Sequence, residues 1–305
     1  MNSSKDAVVF NNTTTKNPLQ DEGISVQEFS ENYMIVIRYI NLFFCCTAVL
    51  GNSSILLTIW KTSSLHSVSN ILLSSLAVSD LSIGLVVQPI FVAHLENLAT
   101  TDGLLYFNIL GSVSCTVSFY SVTAIAVDRL LAVQLHLRYE AEVTPFRATV
   151  VVIIIWIYAA LFSVFWLLNF YLVFKMISIV IMCILIGNFA VHLKIYLIVL
   201  RHQRQIQRQL QLQQQAANNE NILRVKRFVR SAVNIFLIYI LLLSCYMPFA
   251  VYHQLIFVNR GYAASNVYIT TMTLVFLNSS LNPLFYSWRD SEIRTALKQF
   301  YGRCF

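Results

Sequence analysis

Within long apolar stretches of this chain, the side chains able to do chemistry are few and oddly placed. Leu76-Ala77-Val78-Ser79-Asp80 puts a carboxylate in the middle of one stretch, and Gly51-Asn52 puts an amide in another. A third reads Leu277-Asn278-Ser279-Ser280-Leu281-Asn282-Pro283-Leu284-Phe285-Tyr286. An isolated carboxylate in hydrocarbon is costly, so it is neutralised, hydrated or paired with a cation. The natural partners of Asp80 are Asn52, Asn278, Ser279 and Asn282, with a purely structural polar network as the alternative. Pro283 removes a backbone donor and predicts a kink whose freed groups need partners from neighbouring helices or water. A kinked helix packed by small residues is the plain alternative there.

Two further constellations stand out. Ala126-Val127-Asp128-Arg129-Leu130 places an acid beside a base at the end of an apolar run. Asp128 can hold Arg129 by a charge-assisted hydrogen bond, although an exposed pair of this kind ordinarily contributes little. In Cys245-Tyr246-Met247-Pro248-Phe249 the proline predicts a kink. Tyr246, Phe249 and His253 fall at i, i+3 and i+7, on one helical face, where an aromatic stripe also suits plain core. There is no His-Glu-x-x-His, nucleophile elbow or aspartate pair, so an enzyme is not expected.

These residues must be positioned by helices in a membrane. Of 305 residues, 57% are hydrophobic and only 11% charged, against roughly 25% charged in soluble domains. Seven apolar runs, at about 33–60, 69–94, 104–133, 148–170, 176–200, 232–257 and 266–286, are each long enough to cross a roughly 30 Å hydrocarbon core. Most lysines and arginines fall on one side of these spans, including Lys61, Arg129, Arg138, Arg147, Lys194 and Arg201. Only Lys5, Lys16, Arg38, Lys175 and Arg260 fall on the other, which predicts an outer N-terminus and a cytoplasmic C-terminus. The formal charge of +7 therefore serves membrane lipids, with no nucleic-acid partner.

The expected organisation is all-α: a disordered extracellular tail over residues 1–32, a seven-helix transmembrane bundle over 33–288, and a short cytoplasmic amphipathic helix and C-terminus over 289–305. Asn2, Asn11 and Asn12 begin N-x-[ST] triplets and are candidate glycan sites. The polar N-terminal stretch carries no apolar segment of the kind a cleaved signal needs. Ile293, Leu297 and Phe300 recur at i, i+4 and i+7 between charged residues, as in an interfacial helix. Cys304 beyond it is a candidate palmitoylation site, with an unmodified thiol the equal alternative. The cysteines indicate no disulfide framework.

Jointly, Asn52, Asp80, Asp128-Arg129, Trp156, Cys245-Tyr246-Met247-Pro248 and Asn282-Pro283-Leu284-Phe285-Tyr286 resemble the signature of rhodopsin-like (class A) G-protein-coupled receptors, over about residues 33–303. Leu137-Arg138-Tyr139 before Val143-Thr144 looks like the melanocortin, lysophospholipid, cannabinoid and adenosine receptor group. The resemblance implies a plasma-membrane receptor that couples to a heterotrimeric G-protein by outward movement of its sixth helix. It implies activation roles for Asp128, Arg129, Leu130, Tyr246, Pro248, Asn282, Pro283 and Tyr286. It also implies a sodium ion, the sole expected cofactor, held by Asn52, Asp80, Asn278 and Asn282.

Departures from the family pattern are equally specific. Leu130 stands for tyrosine, Tyr246 for tryptophan, and Phe228 for the glutamate that some members pair with the arginine. His192 replaces a tyrosine unless Tyr196 serves one turn later, and Ile184 stands where the fifth helix usually carries proline. Leu104 occupies the place of the usual disulfide cysteine. Phe276 stands where opsins attach retinal, and Gly111 where amine receptors carry aspartate. The remaining candidate pocket, Gln88, Asn108, Gly111, Ser112, Cys115, Tyr246, Phe249, His253 and Phe276, is aromatic and largely uncharged. It suits an extracellular small neutral or lipid-like ligand. A seven-span transporter without G-protein coupling is the alternative, but Pro89, Pro248 and Pro283 do not form the paired broken helices that transporters show.

Overall fold

The computed structural model describes residues 31–62, 65, 67–96, 98–135, 138–168, 179–198, 201, 236, 239–255, 265–289 and 291–302. Each of the seven expected spans contains a described helix, and the described residues form no strand. The helices are α1 (Glu31–Lys61), α2 (Val68–Leu95), α3 (Thr101–Leu135), α4 (Pro145–Leu168), α5 (Ile179–Ile198), α6 (239–255), α7 (Ser265–Arg289) and α8 (Ser291–Gly302). Five of these, α1 to α5, are long and apolar enough to cross a membrane. In α7 the run of Asn278, Ser279, Ser280 and Asn282 dilutes the apolar character, and the last three of these side chains bond to other helices of the bundle.

Local chemistry sets the helix ends. Thr100 caps α3, its hydroxyl accepting from the Gly103 amide at 3.1 Å, and Asp102 complements the helix dipole in the first turn. Thr144 accepts from the Arg147 amide at 3.4 Å, just before Pro145 opens α4, where a missing N–H costs nothing. Asn2, Asn11, Asn12, Phe228 and Cys304 lie outside the described residues. On α8, Ile293 and Ala296 are buried while Arg294 and Lys298 are exposed, and the helix packs against α7 and α1.

Prolines are accommodated by neighbours rather than tolerated as defects. In α2 the turn Ile83–Val87 widens to a π-helix, in which the Gln88 amide donates to the Ile83 carbonyl. The next such bond would run from Pro89 to Gly84, and Pro89 has no N–H. The Cys45 thiol of α1 donates to that Gly84 carbonyl at 3.0 Å instead. The same logic recurs at α7. Pro283 leaves the Ser279 carbonyl without its helical donor, and the Asn52 amide of α1 supplies one at 3.2 Å. Gly51 makes room for the proline: a Cβ there would stand 2.7 Å from both Cβ and Cγ of Pro283.

The Gly51-Asn52 pair is thus fitted to Pro283 from across the helix interface. Gly51→Ala should cost about 1–3 kcal/mol by overpacking, since a proline ring cannot rotate aside. Asn52→Leu should cost about 1–3 kcal/mol by stranding a buried carbonyl. Thermal denaturation of the purified protein reads both, and a Gly51→Ala variant melting with the wild type would refute the fit.

Candidate functional site

Around Asp80 the bundle closes a buried polar cluster from three helices. The carboxylate is fully buried. Its Oδ1 accepts from the Ser279 hydroxyl of α7 at 2.7 Å and the Ser118 hydroxyl of α3 at 3.3 Å. Its Oδ2 accepts from the Asn282 amide at 2.7 Å. Of the residues the sequence grouped with Asp80, Asn282 and Ser279 therefore touch it. Asn52 instead divides its amide between the Ala48 and Ser279 carbonyls, one residue away from the carboxylate. Asn278 is buried beside the cluster, its amide nitrogen without a hydrogen-bond partner among the described residues.

Ser118 was missed, although a signal existed. Ser114, Ser118 and Ser121 recur at i, i+4 and i+7 and so form a hydroxyl stripe on one face of α3. The stripe is used along its length: Ser114 donates to Ser82, and Ser121 pairs with Ser75, which also accepts from the Trp156 indole of α4 at 3.1 Å.

One carboxylate and two hydroxyls converging in a buried site make a hard oxygen set that fits a sodium ion. Among the described residues no group of three or more His, Cys, Asp or Glu could hold a metal ion. Neutral donors already satisfy the carboxylate, so the cluster also holds α2, α3 and α7 together without an ion.

Near the C-terminal end of α3, Asp128 is only 4% exposed. It accepts from the Ser69 hydroxyl at 2.8 Å and from the Tyr139 hydroxyl at 2.6 Å. Arg129 stands further off, with Nε 3.8 Å from Oδ2, beyond hydrogen-bond reach. Tyr139 belongs to a single helical turn, Tyr139–Glu142, between α3 and α4. Burial, and then the bond to Asp128 and its charge, raise the phenol above its ordinary value near 10. It therefore remains a donor throughout the physiological range. Leu130, where the family pattern has tyrosine, is buried against Ile195 of α5. His192 of α5 is buried and stacks on Tyr239 of α6 at 4.7 Å, while the Tyr239 hydroxyl donates to the Leu185 carbonyl.

The residues expected to line a ligand pocket fall into distinct environments. Tyr246 of α6 packs edge-on against Phe119 of α3 at 5.2 Å, and Cys115 lies against the same core. Phe249 and His253 stack at 4.2 Å one turn further along α6. Phe276 is fully buried against Phe91, which stacks on Phe107. Asn108 and Gly111 are half-buried on α3. Ser112 is turned toward α4, its hydroxyl donating to Ser163 at 2.7 Å. Gln88 is fully buried and faces α1, donating to the Asn41 carbonyl at 3.4 Å. Cys115 thus borders both the cluster that holds Tyr246 and Phe249 and the one that holds Phe276, while Ser112 and Gln88 are directed to helix contacts. Pro248 lies mid-α6, and Tyr286 is buried near the C-terminal end of α7 with the main core.

Comparison with known proteins places these features. Residues 51–286 match the family described as 7 transmembrane receptor (rhodopsin family). Melanocortin receptor 5 of Mus musculus is 24% identical over 98% of this chain and 91% of the relative. Adenosine receptor A2a of Homo sapiens is 23% identical over 85% of this chain and 70% of the relative. 5-hydroxytryptamine receptor 1B of Felis catus is 29% identical over 44% of this chain and 36% of the relative.

Proposed function

Because the chain belongs to the rhodopsin family of seven-transmembrane receptors, a multi-pass membrane family of signal transducers rather than enzymes, we propose that it is a plasma-membrane receptor for a small neutral or lipid-like extracellular ligand. Its N-terminal tail, residues 1–32, lies outside and carries glycans on Asn2, Asn11 and Asn12; residues 289–305 lie in the cytoplasm, with Cys304 available for acylation. The bundle between them, residues 33–288, passes ligand binding to a heterotrimeric G-protein by outward movement of α6 about Pro248.

The observation that carries this reading is the pair of buried carboxylates on the same bundle. Asp80 binds α3 and α7 to α2 in mid-membrane. Asp128 is held by neutral hydroxyls beside a loosely tethered Arg129 at the cytoplasmic end. Buried charges with built partners inside a membrane mark function. Here the two lie along the line from the ligand side to the G-protein side.

The ligand class rests on the pocket residues. The relatives are named for melanocortin, adenosine and 5-hydroxytryptamine, three unlike ligands, so their names select none. Tyr246, Phe249, His253 and Phe276 bring aromatic rings and no fixed charge, and Asn108, Gly111 and Cys115 of α3 add none. Such a lining favours an uncharged, largely apolar ligand. A panel of neutral lipids, nucleosides and small amides should contain a compound that accelerates guanine-nucleotide exchange on a purified G-protein. For that compound, Phe249→Ala should weaken potency about tenfold, the equivalent of roughly 1.4 kcal/mol of lost aromatic contact. Activation confined to cationic amines or acidic peptides would overturn the ligand class.

A further inference from the structure

On the outside of the bundle, α6 and α7 do not close against each other along one stretch. A groove of about 610 Å³ remains between them. It runs from Leu243 to Leu255 on α6, about 18 Å of helix at the standard rise, with Val267 and Thr271 opposite on α7. Val251 and Val267 are too short to bridge the gap and stand 44% and 46% exposed. The groove is therefore continuous with the apolar surface that α6 turns outward through Ile240 and Leu255, which in a membrane-spanning bundle faces hydrocarbon. Its inner side is backed by Tyr252, whose ring packs at a tilt against Tyr268 at 5.9 Å.

We propose that this groove is a binding site for the hydrocarbon chain of a bilayer phospholipid. The chemistry of the lining selects that occupant. Its two aliphatic hydroxyls are committed to backbone carbonyls, Ser244 to Ile240 at 2.8 Å and Thr271 to Tyr268 at 2.9 Å. They present carbon to the groove, and the remaining polar side chain of the lining, Tyr252, is only 9% exposed, so the wall favours hydrocarbon over a polar occupant. An open slot facing lipid forfeits dispersion contacts on both walls, and a flexible chain restores them along its length. The slot contains Pro248, on the helix whose movement the receptor reading invokes. A chain seated there favours whichever bundle state keeps the groove at this width. Only this last consequence depends on the receptor reading.

The test uses the full chain in nanodiscs of phosphatidylcholine bearing a photoreactive group midway along one acyl chain. After irradiation, adducts are mapped by peptide mass spectrometry. Residues 243–255 and 267–271 should be labelled about fivefold more than the exposed α4 face around Ile153 and Ile157, a ratio equivalent to roughly 1 kcal/mol of preference. Val251→Trp, which sets an indole into the groove, should abolish the enrichment while leaving α4 labelling unchanged. Val267→Phe provides the same filling from the opposite wall if the first variant does not fold. Even labelling of α4, α6 and α7 would overturn the site, as would enrichment that survives in the filled variants. Enrichment obtained only with a photoreactive sterol would overturn the chain assignment, and enrichment that disappears as protein is concentrated would give the surface to a second copy. No G-protein is involved, so failure here is separate from failure of the receptor reading.

Discussion

Asp80→Ala should destabilise the purified protein by about 2–3 kcal/mol, the cost of leaving buried donors without their acceptor. Three donors converge on this carboxylate, but they do not lose equally. Ser118 and Ser279 sit within helices, where a hydroxyl can turn to a carbonyl one turn back. The Asn282 amide is 1% exposed and donates to Oδ2 at 2.7 Å, so water cannot replace the acceptor it loses. Asp80→Asn should fall between the two. Its amide oxygen can accept from one side of the cluster, while its nitrogen faces donors on the other. A sodium ion separates the charge from the hydrogen bonds. If the Asp80, Ser118 and Ser279 oxygens hold it, sodium against choline should raise the wild-type melting temperature and favour the ligand-free state, by linkage to the state that binds the ion. Asp80→Asn should lose that dependence even where it folds well. The same sodium response in wild type and variant would remove the ion from the account, and a silent Asp80→Ala would remove the structural role as well.

How much of this was legible in the sequence depended on what kind of signal each residue leaves. The spans were readable because hydrocarbon demands long apolar runs, and the five most apolar described helices follow them closely. Asp80 and Asn282 were readable as partners because polar groups in an apolar run must find each other. Asn52 was placed in the right cluster, but its task is to supply the Ser279 carbonyl with the donor that Pro283 lacks. That assignment needed the register between α1 and α7, which periodicity does not carry. The same holds for Cys45 and the Gly84 carbonyl. Ser69 and Tyr139 left the weakest trace, a serine at a helix start and a tyrosine in a short connection. They become partners of Asp128 only because the packing of α2 on α3 and the turn after α3 bring them to one carboxylate. Gln88 and Ser112 show what polarity alone leaves open: inside a span it marks a needed partner, and a neighbouring helix supplies one here.

Tyr139→Phe should lower ligand-independent nucleotide exchange by about two- to fivefold. The carboxylate of Asp128 is nearly enclosed, and neutral hydroxyls from Ser69 and Tyr139 already occupy both its oxygens. Arg129, the group expected to reach into a bound G-protein, is left with a loose ion pair at 3.8 Å. Removing the phenol hydroxyl frees Oδ1 to accept from the guanidinium, and a charge-assisted bond is roughly twice as strong as a neutral one. Because Arg129 remains partly exposed, the gain is about 1 kcal/mol at most, which corresponds to about fivefold in the balance between active and inactive states. Ser69→Ala should act in the same direction, since Ser69 shares Oδ2 with Arg129. The effect should not vary between about pH 6 and 9. A phenol whose folded-state value is raised stays protonated below its ordinary value near 10, and its contribution to stability is lost only as pH climbs through the raised value. Exchange is measured without ligand at matched expression for wild type, Tyr139→Phe and Ser69→Ala. A higher basal rate in Tyr139→Phe would mean that the phenol positions Asp128 to restrain Arg129, rather than competing with it for the carboxylate.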